Sequence, residues 1–62
     1  MIYSLYDMNN GEFLETWDTD EDFKQLIEGD IIALQNETMW IVDSVGVFPS
    51  RIEVYLKPYF MI

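Results

Sequence analysis

The chain predicts a mainly β fold of the α+β kind: a small, bent, mostly antiparallel sheet of about five strands, covered by one short helix. Three observations lead there. Five short runs rich in Ile, Val, Tyr and Leu are separated by turn-forming residues. Asn10-Gly11 stands between the first two runs and is the strongest short hairpin signal a sequence can carry. One stretch, Phe23, Leu26 and Ile27, places apolar residues at the i, i+3, i+4 spacing of a helix face.

Taken in order, residues 2–8 read as a strand and residues 12–17 as its return, with Phe13, Glu15 and Trp17 alternating against Leu14 and Thr16. A two-residue turn pairs Met8 with Phe13, whereas a bulged one pairs Tyr6 with Leu14; the sequence leaves both open. Residues 19–28 read as the helix, capped by Asp18 or Thr19 and stopped by Gly29. About ten residues are too few to be stable alone, so its stripe must dock on the sheet. Ile31 to Gln35 is a third strand, with Asn36 and Glu37 in the turn after it. Met39 to Val45 is a fourth, apolar on both faces at its start, which suggests a closed or covered sheet. After a loop over 46–50, Arg51 to Lys57 alternates cleanly: Ile52, Val54 and Leu56 one way, Arg51, Glu53, Tyr55 and Lys57 the other. Pro58 interrupts that strand, and Tyr59 to Ile62 form an apolar tail. Trp17 and Trp40 read as core rather than ligand platform.

Sixty-two residues make one domain, 1–62. Half of them are hydrophobic, enough for a core with a surplus for the surface. Without Cys there is no disulfide, thiol nucleophile or zinc–thiolate site; without His, the commonest general base and metal ligand is missing. A disulfide-free small domain reads as cytoplasmic. The N-terminus has no signal-peptide pattern, and no apolar run approaches the length of a membrane span.

No chemical motif survives inspection, and the chain reads as a non-enzyme needing no cofactor. Asp18, Asp20 and Asp22 imitate the start of an EF-hand loop, but Phe23 stands where that loop needs Gly and Gly29 where it needs a bidentate Glu. No metal site is therefore expected. The ordinary role for Asp20, Glu21 and Asp22 is the first turn of the helix, where its dipole favours negative charge. Ser4, Ser44 and Ser50 have no base beside them, and Gly11, Gly29 and Gly46 form no phosphate loop.

Charge is the informative feature. Residues 1–31 carry nine acids against Lys24 alone, a net −8 of the chain's −9, and six acids lie between Glu12 and Asp22. Such a field repels nucleic acid and membrane surfaces and attracts basic partners. Glu12, Glu15, Asp18, Asp20, Glu21 and Asp22 are the candidate partner-binding acids. Phe48, in an apolar loop beside Gly46, either plugs a barrel end or adds an apolar hot spot. In size and charge the chain is similar in character to small phage-type inhibitors that occupy a basic, nucleic-acid-binding surface of a host protein.

Several fragments resemble an SH3 domain. Ser4-Leu5-Tyr6-Asp7-Met8 resembles its ALYDY segment, and an acidic stretch follows, as in the family's first loop. Gly29-Asp30-Ile31-Ile32 resembles the opening of its central strands, and Gly46-Val47-Phe48-Pro49-Ser50 is similar to its G-[LY]-[FIV]-P-S-N-Y signature, with Arg51 and Ile52 in place of the Asn and Tyr. The resemblance implies an SH3-like small barrel. It also implies an alternative function as a peptide-binding module, with Tyr6, Trp40 and Pro49 in the groove.

The tail has two solutions: it closes the sheet within one chain, or it pairs with another copy. Pro58 cannot donate to a ladder and should let the tail swing outward, which favours a homodimer through Tyr59 to Ile62.

Overall fold

The structure, a computed structural model, describes residues 1–20 and 25–60. Five strands, β1 (Ile2–Asp7), β2 (Phe13–Asp18), β3 (Ile31–Ala33), β4 (Met39–Val47) and β5 (Ile52–Pro58), form one sheet in the order β2-β1-β5-β4-β3. The sheet curls into a half-barrel, consistent with a small β-barrel fold. Its three hairpin-like pairings are antiparallel, but the central β1–β5 pair is parallel, with Leu5 beside Val54 and Asp7 beside Leu56. Alternation cannot announce that direction. It marks faces, and the long chain between first and last strands leaves either direction open.

One face of the sheet makes the core. Tyr3 and Leu5 from β1, Ile32 from β3, Val42 from β4, and Ile52, Val54 and Leu56 from β5 are buried, joined by Leu34 and Leu26 from the connections. Leu14, Trp17, Trp40 and Val45 pack around its margin, as expected of both tryptophans. Among the described residues the other face carries no buried side chain, so at the apolar start of β4 only one face lies in the core. Met39 is exposed and Ile41 half-buried.

The first hairpin takes neither expected register. Its loop spans residues 8–11, closed by the Asp7 amide donating to the Glu12 carbonyl at 2.8 Å and the Gly11 amide donating to the Asp7 carbonyl at 2.7 Å. Among loop residues only Gly11 has a positive φ, +73°, so the turn is not the two-residue type I′ form, which needs two. Asp7 and Asn10 side chains accept from the Asn9 and Glu12 amides at 2.9 and 2.8 Å, stabilising the longer loop. Tyr6 then pairs with Phe13 and Leu5 with Glu15, leaving Leu14 as a bulge. The extra residue reverses the alternation. Leu14 and Trp17 therefore pack on the core, while Phe13 turns outward and is 53% exposed.

The helix expected over 19–28 has its centre, 21–24, outside the described residues. Among the described residues there is no helix. Asp18 belongs to β2, and the Thr19 amide donates to the Met1 carbonyl at 3.0 Å. Downstream, the Asp30 carboxylate accepts from the Ile27 amide at 3.0 Å, and the Asp30 amide donates back to the Ile27 carbonyl at 3.1 Å. That local closure competes with helical bonding. Gly29, at φ +94°, lets the turn donate to the Val42 carbonyl at 2.9 Å. Of the expected stripe, Leu26 is buried and Ile27 is 55% exposed.

Pro58 does not split off all of the tail. It ends β5 opposite Trp40, and the Tyr59 amide donates to the Met39 carbonyl at 3.1 Å. The Leu56 carbonyl is taken on the β1 side by the Met8 amide, so Pro58, two residues on, points its donor-less nitrogen past the end of β1. Ladder bonding to β4 continues for one more residue.

Candidate functional site

The acids do not share one role. Glu12, Asp18 and Asp20 are exposed along the β1–β2 hairpin and its exit. Since β2 is an edge strand, this charge lines one side of the molecule. Glu21 and Asp22 lie outside the described residues. Glu15 differs. It is half-buried, one carboxylate oxygen accepts from Trp17 Nε1, and the other accepts from the Gln35 amide at 3.1 Å. Gln35 follows β3, the opposite edge of the sheet, so Glu15 ties the two edges together where the half-barrel curls round. Its carboxylate is structural, whatever its charge adds to the surface.

A second constellation lies on the open face. Phe48 folds its ring back over Gly46, where an added Cβ would stand 3.2 Å from the ring. The Phe48 amide donates to the Arg51 carbonyl at 2.9 Å, closing a turn that leaves Pro49 exposed. The turn sets the Arg51 guanidinium 4.7 Å from the Phe48 ring centroid. Arg51 Nε and Nη2 donate to Glu53 Oε2 at 2.9 and 2.8 Å, and the Tyr55 hydroxyl donates to Glu53 Oε1 at 2.8 Å. Tyr55 stacks on Tyr6 with ring centroids 5.5 Å apart, and Tyr6 meets the edge of Phe13 at 5.8 Å. The strip Phe48–Arg51–Glu53–Tyr55–Tyr6–Phe13 thus crosses from the β4–β5 turn through β5 and β1 to β2. Phe48 neither plugs a barrel end nor stands alone.

Tyr6, Trp40 and Pro49 are not gathered into a groove. Tyr6 belongs to this strip, Pro49 to the turn, and Trp40 to the core side of β4. Trp40 instead lines a groove of about 460 Å³ with Thr38, Met39, Pro58, Tyr59 and Phe60. Its Nε1 donates to Thr38 Oγ1 at 2.8 Å, which fixes the indole, and Phe60 is 77% exposed. Arg51, Glu53 and Tyr55 were not singled out as site residues from the sequence, and Tyr59 and Phe60 only as part of a dimerising tail. The i, i+2, i+4 placement of Arg51, Glu53 and Tyr55 on one strand face was the available signal for the strip.

Hydrogen bonding sets the titration of the strip's centre. The Tyr55 hydroxyl, and then Arg51, hold Glu53 below its ordinary 4.5, while the bond to Glu53, reinforced by burial, holds Tyr55 above its ordinary 10.0. Folding raises the Tyr55 value, so its bond contributes at every pH below about 10 and is lost as pH climbs through the raised value. Folding lowers the Glu53 value, so that contribution is present above about 4.5 and is lost as pH falls through the lowered one. In ultraviolet titration of the folded protein, the limb above the ordinary tyrosine range should disappear in Tyr55→Phe. Superimposable high-pH limbs in parent and variant would refute the assignment.

Among the described residues no helix is long and apolar enough to cross a membrane. Comparison with protein-family models, curated proteins and solved structures finds no match for the chain.

Proposed function

We propose that the chain is a small protein–protein interaction module that engages a basic surface of a partner protein through its acidic edge. Segregation of charge carries this reading. Residues 1–20 hold Asp7, Glu12, Glu15, Asp18 and Asp20 with no Lys or Arg, and β2, which bears Glu15 and Asp18 and is flanked by Glu12 and Asp20, is an edge strand of the sheet. Glu21 and Asp22 continue the run in sequence. A field of that sign disfavours direct contact with nucleic acid, and basic protein surfaces are commonly those that bind it. The proposed mode is occupation of such a surface in the cytoplasm, in the manner of a phage-type inhibitor, with neither cofactor nor catalysis.

The test is partner capture from lysate at low and high salt, followed by association kinetics with the captured protein. Screening should release the partner. Glu12→Gln, Asp18→Asn and Asp20→Asn together should slow association by about tenfold at low salt while leaving the fold intact, because steering acts on the on-rate and exposed acids contribute little stability. Unchanged association kinetics would falsify the reading.

The groove at Trp40 favours a second reading, a small peptide-binding module of SH3-like kind, with Trp40, Tyr59 and Phe60 as its aromatic walls. A partner retained at high salt supports this groove. Self-association through the tail remains the homodimer alternative, which Phe60's exposure favours. A dimer mass by light scattering, lost on deleting residues 59–62, would establish it; a monomeric parent eliminates it.

A further inference from the structure

We infer that the Tyr6–Tyr55–Phe13 end of the open-face strip seats arginine side chains of the basic partner, an inference that rests on the acidic-edge reading and names the partner chemistry it selects. The chain contains an internal version of the contact. Arg51 lies over the Phe48 ring while its guanidinium binds the Glu53 carboxylate, so one end of the strip already holds an arginine between an aromatic face and an acid. The other end repeats the aromatic half, with Tyr6 and Tyr55 stacked and Phe13 projecting at 53% exposure. Asp7 and Glu12 flank these rings in sequence and close the same hairpin, the Asp7 carboxylate accepting from the Asn9 amide and Glu12 exposed. No Lys or Arg in residues 1–20 supplies the cation. Lys57, two residues from Tyr55 on the same face, has Asp43 at 3.9 Å.

Charge complementarity selects the occupant. Bases of a single-stranded nucleic acid also stack on aromatics, but their phosphates would face a net charge of −9. A second copy of the chain brings another −9 to the same contact. Arginine is preferred over lysine because its planar, weakly hydrated guanidinium stacks on a ring and still pairs with a carboxylate in the ring plane.

Calorimetric titration of the full chain at low salt with hexa-arginine and hexalysine decides it, with the aromatic proton resonances followed in parallel. The arginine peptide should bind about two- to fivefold more tightly, the scale of a cation–π contact at an exposed site. The Tyr6, Phe13 and Tyr55 ring signals should move. Phe13→Leu, which keeps apolar bulk but removes the ring, should shrink the arginine preference. Equal affinities with both peptides bound overturn the inference and leave the acidic edge standing, whereas binding of neither overturns both. Unmoved ring signals, or shifts centred on Trp40, also overturn it, and these need no variant to fold.

Discussion

Leu56→Ala should unfold most of this domain's stability in one step. Leu56 is 0% exposed on β5, beside Asp7 of β1 in the parallel pair and opposite Val42 of β4 in the antiparallel one. Truncating a buried leucine costs about 2–5 kcal/mol, the lost transfer term plus the cavity. A chain of this length has roughly 3–9 kcal/mol in total. The melting temperature should therefore fall by about 10–30 °C, to the point where a substantial unfolded population exists at room temperature. Val47→Ala, at the exposed end of β4, is the control and should stay within about 0.5 kcal/mol of the parent. Circular dichroism melts of both variants make the comparison. A Leu56→Ala melt within a few degrees of the parent would mean that the sheet face assigned to the core is not buried.

Glu15→Ala should be the most damaging change among the acids. The carboxylate accepts from Trp17 Nε1 and from the Gln35 amide, and removing it deletes both bonds at the closure of the half-barrel. Losing a charged acceptor of this kind costs about 1.5–3 kcal/mol, against nearly nothing for an exposed surface acid. Glu15→Gln keeps one acceptor and should fall between. Trp17 reports the event directly, since its indole loses a partner and its fluorescence should shift together with the melt. If Glu15→Ala and Asp18→Asn melt alike, the bridge between the sheet edges contributes nothing.

The contrast between those two acids marks where the sequence was legible and where it was not. Ile52, Val54 and Leu56 announced their face because a strand's period is two and nothing interrupts it there. The bulges at Leu14 and Asp43 broke the same rule elsewhere. A single inserted residue moved Phe13 outward, while Glu15 kept its place beside Trp17 and met Gln35 from the far edge, so local alternation could not separate a structural carboxylate from a surface one. The expected helix failed in its described flanks for a related reason. Its apolar spacing is genuine, but Asp30 closes a side-chain turn on Ile27 and Gly29 hands that turn to β4. Parallel pairing of β1 with β5 had no local signature at all. Phe48 and Tyr6 were each visible as candidates, for unrelated reasons; what joins them is the outward row Arg51, Glu53 and Tyr55, which alternation had marked only as the solvent side.

Asymmetry of charge remains the basis of the proposed function, and a map of where a bare polycation touches the protein tests it most directly. Backbone amide shifts should be recorded while hexalysine is added at low salt, then again at physiological salt. The expected result is a set of shifts confined to residues 12–20 and the loop before them, reversed by salt. Absence of any shift, or shifts centred on the groove at Trp40 and Phe60 that persist in salt, would contradict an acidic docking edge.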